Sequence, residues 1–240
     1  MDMKKFLKIL VFIGFSTLIY ANTNLFNKAI KLYENQKFED ALKVFSDLSK
    51  TYKNWQIFYN IGNCYYRLGD LPRAHLYYLK AKRLNPRDKN INYNISVVRE
   101  MLKLEKREQG FIVRITEFFA ERELKIIIIV LNFILVLSAF IWLNFRREFF
   151  FWLIPFSLIF FLFFGVIFYT KCEFEKPGKW GVLLESTSVL SGPSQTYKII
   201  AEVPAGMDVE ILEKEGDFVL INLPTGQGWI EESKIAKVIK

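Results

Sequence analysis

The sequence IIIIVLNFILVLSAFIWLNFRREFFFWLIPFSLIFFLFFGVIFY, residues 126–169, contains two apolar runs separated only by Arg146, Arg147 and Glu148. Each run has about 20 residues, which in a helix rising ~1.5 Å per residue span the ~30 Å hydrocarbon core of a bilayer. A pair of buried core helices would usually carry a polar face at helical spacing, and neither run has one. The sequence therefore predicts a membrane hairpin with helices at residues 125–145 and 149–169 and a turn at residues 146–148.

The N-terminus decides which side of the membrane the soluble parts occupy. Residues 1–21 have the pattern of a secretory signal, with a short basic segment, an apolar stretch and the small residue Ala21. An uncleaved anchor is the alternative, and in either case we expect the chain from Asn22 onward to be exported. The hairpin then returns the chain to the same side, which leaves Arg146 and Arg147 in the cytoplasm, as the positive-inside rule favours.

Charge and cysteine content exclude some classes of function. The chain has a net charge of +8, yet it shows no basic stripe interleaved with stacking aromatics, and exported domains meet no nucleic acid. We therefore predict no nucleic-acid partner and expect attraction to anionic membrane lipid instead. The two cysteines, Cys64 and Cys172, are too few for a disulfide framework and are expected to be a buried and an interfacial thiol.

The region before the hairpin repeats with a period of 33–34 residues, which is typical of helical arrays. At this shift Phe26-Asn27 superposes on Tyr59-Asn60 and on Tyr93-Asn94. In the clearest copy, residues 55–88, apolar residues at helical spacing predict two helices separated by Gly69-Asp70. We expect a repeat domain at residues 22–107 that ends in a capping helix.

These residues resemble the tetratricopeptide repeat. Its pattern is matched here by Phe58, Ile61-Gly62, Tyr65, Gly69-Asp70, Ala74, Tyr78, Ala81 and Pro86. The resemblance implies a solenoid whose concave groove, lined by the first helix of each pair, binds a protein segment. The groove is expected to carry aromatic and asparagine side chains, which suit peptide side chains and backbone respectively: Phe26, Asn27, Tyr59, Asn60, Asn63, Tyr66, Tyr93 and Asn94.

Two further points concern the role of the groove residues and the kind of ligand. The same tyrosines and asparagines can simply join neighbouring helices. The variant of the family that clamps a C-terminal carboxylate needs lysines where Tyr59 and Tyr93 stand, so such a ligand is not implied.

The remaining segments complete the predicted organisation. Residues 108–124 form an amphipathic juxtamembrane segment that suits the membrane surface, and residues 170–178 form a linker. Residues 179–240 contain short strands separated by Gly/Pro turns and resemble the bacterial SH3-like domain, a small all-β barrel. That resemblance implies a peptide or cell-wall ligand, and Trp229 is either part of the hydrophobic rim of the barrel or its ligand-stacking residue.

No pattern of catalytic residues emerges from the sequence. The single histidine, His75, falls on a repeat helix, where we expect a satisfied or solvent-facing side chain. Catalytic triads, Cys/His metal spacings and phosphate-binding glycine loops are missing. We predict a non-enzyme without a cofactor or metal.

The whole layout is similar to BatE proteins of the bacterial Bat (aerotolerance) group, and Asn92-Tyr93-Asn94-Ile95 after the last repeat adds to the resemblance. The resemblance implies an inner-membrane scaffold with both soluble domains in the periplasm. It also implies partners that are membrane-bound von Willebrand A-domain proteins and a MoxR-type AAA+ ATPase. A cell-wall sensor, with peptidoglycan as the partner of the SH3-like domain, remains the alternative.

Overall fold

A computed structural model describes residues 23–105 and 111–239, and the predicted signal segment lies outside them. The described chain consists of a repeat domain, a helical stem and a small sheet. Residues 23–34 form helix α1. The other helices of the repeat domain are α2 (Phe38–Thr51), α3 (Trp55–Arg67), α4 (Leu71–Leu84) and α5 (Lys89–Met101).

Polar side chains cap α3, α4 and α5 at their N-termini, whereas α2 has no side-chain cap. The carboxylate of Asp70 accepts a hydrogen bond from the backbone N–H of Arg73 (3.1 Å), and Pro72 occupies the first turn of α4. Asn54 caps α3 and Asp88 caps α5 in the same way. Each cap satisfies backbone donors that lack an intrahelical acceptor, so the four loops between helices can be short.

The core of the repeat domain consists of two apolar clusters. The first lies between α1, α2 and α3 and contains Ala29, Ala41, Phe45, Leu48, Ile57, Ile61 and Cys64. The second joins α4 to α5 through Ala74, Tyr78 and Val98. Gly62 allows the closest approach, because a Cβ atom there would lie 2.6 Å from two ring carbons of Tyr78. Small residues at the contact thus allow α3 and α4 to pack face to face.

The stem contains α6 (Phe111–Phe118), α7 (Glu121–Phe145) and α8 (Glu148–Phe174). Within the described residues, α7 and α8, of 25 and 27 residues, are the two helices whose length and composition allow them to cross a membrane. They pair with each other and otherwise expose their apolar side chains, whereas a core helix would be mostly buried. Only Arg146 and Arg147 separate them, with Arg146 in the left-handed conformation (φ 50°).

The stem differs from the sequence prediction at both membrane-proximal ends. Helix α8 continues through most of the predicted linker. In this extension the side chain of Lys171 is only 3% exposed, and it pairs with Glu175 at 2.7 Å. Lys171 Nζ also donates to the backbone oxygen of Thr116 in α6 (3.0 Å). Helix α6 of the predicted amphipathic segment therefore packs on α8.

The C-terminal part is an antiparallel sheet of seven strands in the order β3-β2-β6-β5-β4-β1-β7. The strands are β1 (Trp180–Leu183), β2 (Thr187–Leu190), β3 (Ile199–Val203), β4 (Asp208–Glu215), β5 (Phe218–Leu223), β6 (Gly226–Glu231) and β7 (Ile235–Lys237). One face carries the core: Leu183, Val189, Val203, Val209, Val219, Ile221, Leu223, Ile230 and Ile235.

The prediction of a small all-β domain is confirmed, but the sheet is open and does not close into a barrel. Strands β3 and β7 are its edges, and each pairs on one side only, with β2 and β1 respectively. Closing a sheet requires strands long enough for consistent tilt and stagger, and β7 has only three residues. Register shifts at Val189/Leu190 and Ile211/Glu213 bend the sheet around its core without joining the edges.

The repeat domain, the stem and the sheet meet at the outer face of α4. Lys82 pairs with Glu117 of α6 (2.8 Å), and Arg83 pairs with Glu175 at the end of α8 (2.8 Å). Arg99 of α5 pairs with Asp208 of the sheet. These contacts place both soluble parts at the same end of the hairpin.

Candidate functional site

A groove of about 440 Å³ lies between α1, α3, α4 and α5. Its walls combine phenol rings, amides, one cation and one small apolar side chain: Tyr33, Tyr59, Asn63, Tyr66, Arg67, Tyr78, Tyr93, Asn94 and Val97. Most of these residues come from α3 and α5, and the contacts with the stem come from α4 and from Arg87 in the loop that follows it. The groove therefore stays accessible while the repeat domain rests on the stem.

Hydrogen bonds between helices hold the groove side chains in place. The hydroxyl of Tyr78 donates to Asn63 Oδ1 at 2.8 Å. Asn94 Nδ2 donates to the same oxygen and to Tyr59 Oη, each at 3.2 Å. The ring of Tyr78 is 1% exposed, and this burial raises its pKa, so the phenol stays protonated and can only act as a donor or neutral acceptor. The floor of the groove is thus fixed before any ligand arrives.

At the open end of the groove, two side chains remain exposed. Tyr93 has 68% of its surface exposed, although large apolar rings are usually buried. Arg67 lies at the end of α3, and its Nε donates to Tyr33 Oη at 3.3 Å, which raises the pKa of Arg67. An exposed ring and a permanent cation at the mouth are available to a ligand.

Several residues that the sequence indicated do lie together in this groove: Tyr59, Asn63, Tyr66, Tyr93 and Asn94. The sequence did not indicate four other residues of the groove lining: Tyr33, Arg67, Tyr78 and Val97. Helical spacing contained a signal for two of them, because Arg67 and Val97 follow Asn63 and Tyr93 by four residues and so share their faces. Tyr33 precedes Tyr66 by one repeat period.

Three predicted groove residues do not line it. Phe26 instead packs edge-to-face on Phe45 (ring centroids 5.6 Å apart) and fills the first core cluster. Asn60 Nδ2 donates to the backbone oxygen of Gln56 on its own helix (2.9 Å), and Asn27 is exposed outside the groove. The prediction placed Asn27 and Asn60 beside the aromatic residue before them, yet adjacent residues point about 100° apart around a helix.

Some of the groove residues join neighbouring helices, which is the alternative role that the sequence left open. Asn94 bonds across from α5 to Tyr59 and Asn63 of α3, so it joins these helices. Tyr93, by contrast, is largely solvent-exposed and contributes little to the core. The groove therefore has a structural floor and an open rim.

Trp229, the other predicted ligand residue, lies in β6 opposite Leu190 and Leu220 and is half-buried. It is not among the residues that form or pack against the core cluster of the sheet. The most exposed apolar residues of the sheet lie elsewhere, at Tyr197, Ile199 and Ile200 near the β3 edge.

The prediction that His75 is satisfied or solvent-facing was only half right. The side chain is fully buried at the contact between α4 and the sheet, where Nδ1 lies 2.8 Å from the backbone oxygen of Gly206. Its Nε2 is buried without a hydrogen-bond partner in the described part of the chain. Burial lowers the pKa of His75, and the carboxylate of Asp208 opposes that shift. His75 therefore acts as a neutral contact between domains.

Both cysteines are free thiols, Cys64 buried and Cys172 exposed. Burial raises the pKa of Cys64 to about 12, so the reactive thiolate is not populated near neutral pH. Among residues 23–105 and 111–239, no group of three metal-ligating side chains is close enough to hold a metal ion.

Comparison with known families assigns both soluble parts to domain classes. Residues 55–88 match the tetratricopeptide repeat, and residues 185–235 match the bacterial SH3 domain. The first class points to protein–protein interaction and the second to a cell-wall binding role. No curated protein matches the chain.

Proposed function

We propose that this protein is a non-enzymatic scaffold of the bacterial inner membrane whose repeat groove binds a segment of a partner protein on the periplasmic side. The observation that carries the proposal is the groove itself, with its preorganised amide and phenol floor and its exposed Tyr93. A rigid site loses less conformational entropy on binding than one that must first be ordered.

The chemistry of the groove suits an extended peptide. The bonds of the groove floor do not use Asn63 Nδ2 or Asn94 Oδ1, so the first can donate to the backbone of a bound segment and the second can accept from it. Phenol rings bury apolar side chains while their hydroxyls stay hydrogen-bonded, which is why tyrosine is frequent at binding surfaces. The groove volume of about 440 Å³ accommodates a few residues of such a segment.

The membrane stem gives the scaffold its location. Both soluble parts emerge from the same end of the hairpin, so a partner in the groove is held close to the membrane surface. The predicted export signal and the arginine pair at the opposite end support a periplasmic placement. By the resemblance to BatE proteins, the partner is a membrane-bound von Willebrand A-domain protein within a Bat/MoxR-type assembly for envelope stress or aerotolerance.

Photocrosslinking in intact membranes tests this proposal. A photoreactive amino acid replaces Tyr93 at the groove mouth, and a matched control replaces Tyr197, which is similarly exposed on the sheet. We expect the Tyr93 probe to capture a von Willebrand A-domain membrane protein, and Asn94→Ala in the same chain to reduce the yield several-fold because the groove floor loses its cross-helix bonds. Identical products from the two probe positions would contradict groove binding.

The alternative function is a cell-wall sensor, favoured by the match of residues 185–235 to the bacterial SH3 domain. Binding of the full-length protein to purified peptidoglycan sacculi separates the two functions. In the wall-sensor function, Trp229→Ala reduces sacculus binding and Asn94→Ala does not. In the scaffold function, sacculus binding is absent or unaffected by either change.

A further inference from the structure

The internal hydrogen bonds of the groove leave donors facing a ligand. Asn63 Oδ1 accepts from both Tyr78 and Asn94, which occupies its two lone pairs. Tyr59 Oη accepts from Asn94, and Tyr33 Oη accepts from Arg67, so the hydroxyl protons of Tyr59 and Tyr33 remain to be donated. These bonds use Asn63 Oδ1, Tyr59 Oη and Tyr33 Oη as internal acceptors, so the two tyrosines present O–H groups to the groove.

Arg67 adds a positive charge to this set of donors. It is the one ionised side chain among the groove residues, and no carboxylate lines the groove. The other arginines in the described repeat domain all contact carboxylates, in the pairs Arg73–Asp70, Arg83–Glu175, Arg87–Glu123 and Arg99–Asp208. Arg67 contacts a neutral phenol through Nε, and its terminal Nη1 and Nη2 have no carboxylate partner within residues 23–105 and 111–239.

A purely structural role for Arg67 does not account for this arrangement. A cation in the last turn of α3 complements the partial negative charge of the helix C-terminus. A solvated lysine or arginine would do so in any orientation, so this role does not require the side chain to be fixed. Here the hydrogen bond to Tyr33 holds the guanidinium at the groove wall. A guanidinium fixed through Nε keeps its other nitrogens for a second partner.

We propose that the groove recognises an acidic side chain, aspartate or glutamate, within the segment it binds, with Arg67 as the ion-pair partner and the hydroxyls of Tyr33 and Tyr59 as hydrogen-bond donors. An ionised carboxylate is the one common protein group that only accepts hydrogen bonds, and so it complements a groove that offers donors and a positive charge. This inference rests on the proposed function of the groove and specifies the chemistry of its partner.

Peptide pools provide the test. The full-length protein in lipid nanodiscs is titrated with three fluorescent, N-acetylated and C-amidated decapeptide pools of random sequence whose central residue is glutamate, glutamine or lysine. We expect the glutamate pool to bind about fivefold more tightly than the glutamine pool, and the lysine pool more weakly than both. The difference should shrink at high salt, because the pair is exposed.

Two variants test whether the preference for glutamate depends on Arg67. Arg67→Gln is expected to remove the preference for glutamate, and Arg73→Gln, whose partner is Asp70 outside the groove, is expected to keep the preference. Equal binding of the glutamate and glutamine pools would overturn this inference and leave the proposed groove function standing. The same three pools are also made with a free C-terminus, and a preference that appears only in that second set would overturn the inference in favour of a chain-terminal carboxylate. Failure of every pool to bind would contradict the groove function and this inference together.

Discussion

Gln36 and Gly69 occupy the equivalent turn in the two repeats, one period of 33 residues apart, and both adopt left-handed backbone conformations (φ 60° and 81°). For a residue with a Cβ atom this conformation costs roughly 1–2 kcal/mol. Gly69 avoids the cost, whereas Gln36 carries it where the family pattern has glycine. The turn of the first repeat is therefore strained at Gln36, whereas the equivalent turn of the second repeat is not strained at Gly69.

We expect Gln36→Gly to raise the free energy of unfolding by about 0.5 kcal/mol, since relief of backbone strain exceeds the added entropy of glycine in the unfolded chain. Gly69→Ala should lower it by about 1 kcal/mol, and a Cβ atom there meets nothing within 4 Å, so that loss reports backbone strain alone. Denaturant unfolding followed by circular dichroism measures both. A loss of stability for Gln36→Gly comparable to that for Gly69→Ala would contradict the argument.

The contact between α3 and α4 contributes both to the stability of the repeat domain and to the floor of the groove. The ring of Tyr78 packs directly over Gly62, and its hydroxyl reaches Asn63 on the groove floor. Helix α4 carries this ring and also His75, Lys82 and Arg83, which contact the sheet and the stem. One helix therefore borders the groove and holds the repeat domain in place.

Gly62→Ala is expected to displace the Tyr78 ring and to lower the free energy of unfolding by about 2 kcal/mol, because a rigid ring with its atoms 2.6 Å from the new Cβ must move. Tyr78→Phe, which keeps the ring and removes only the hydroxyl, should cost about 1 kcal/mol. The measurement is a double-mutant cycle of Gly62→Ala with Tyr78→Ala. The Gly62→Ala cost should be much smaller once the ring is absent, and additive losses would contradict a direct contact.

The repeat domain and the sheet are coupled through the buried His75. Because burial lowers its pKa below the ordinary value near 6.5, the unfolded or separated state binds more protons in the acidic range. The stability of the contact therefore rises with pH up to about 6.5, is fully present above it, and falls as the pH drops below it. Asp208 favours the charged imidazole, and Arg99 and Lys82 disfavour it.

We expect opening of the domain contact to increase by up to about tenfold per pH unit below about pH 6.5. Hydrogen exchange of residues 205–208, corrected for the intrinsic effect of pH, measures this opening at pH 7.5 and pH 5.5. His75→Asn keeps an N–H donor for the oxygen of Gly206 and lacks the titration, so it is the matched control. The same pH dependence in His75→Asn would show that another group controls the contact.

Much of the architecture follows from local patterns. The two spanning helices depend on the length of their apolar runs, and the repeat pair depends on Gly69, Asp70 and Pro72 at the turn, so neighbouring residues suffice to predict them. The resemblance to the tetratricopeptide repeat indicated Tyr59, Asn63 and Tyr66 as groove residues, and all three line the groove. The side of the membrane and the partner stay predictions, because they rest on residues 1–21 and on resemblance.

Other features depend on residues far apart in the chain and became visible only in three dimensions. Arg67 joins Tyr33, 34 residues away, and His75 meets Gly206 across 131 residues. Strands β3 and β7 stay apart although the turn pattern resembles that of a barrel. Local propensity determines where helices, spans and turns begin and end. The groove floor, the open sheet and the buried histidine arise from packing between distant segments, because a contact of that kind has no period along the sequence.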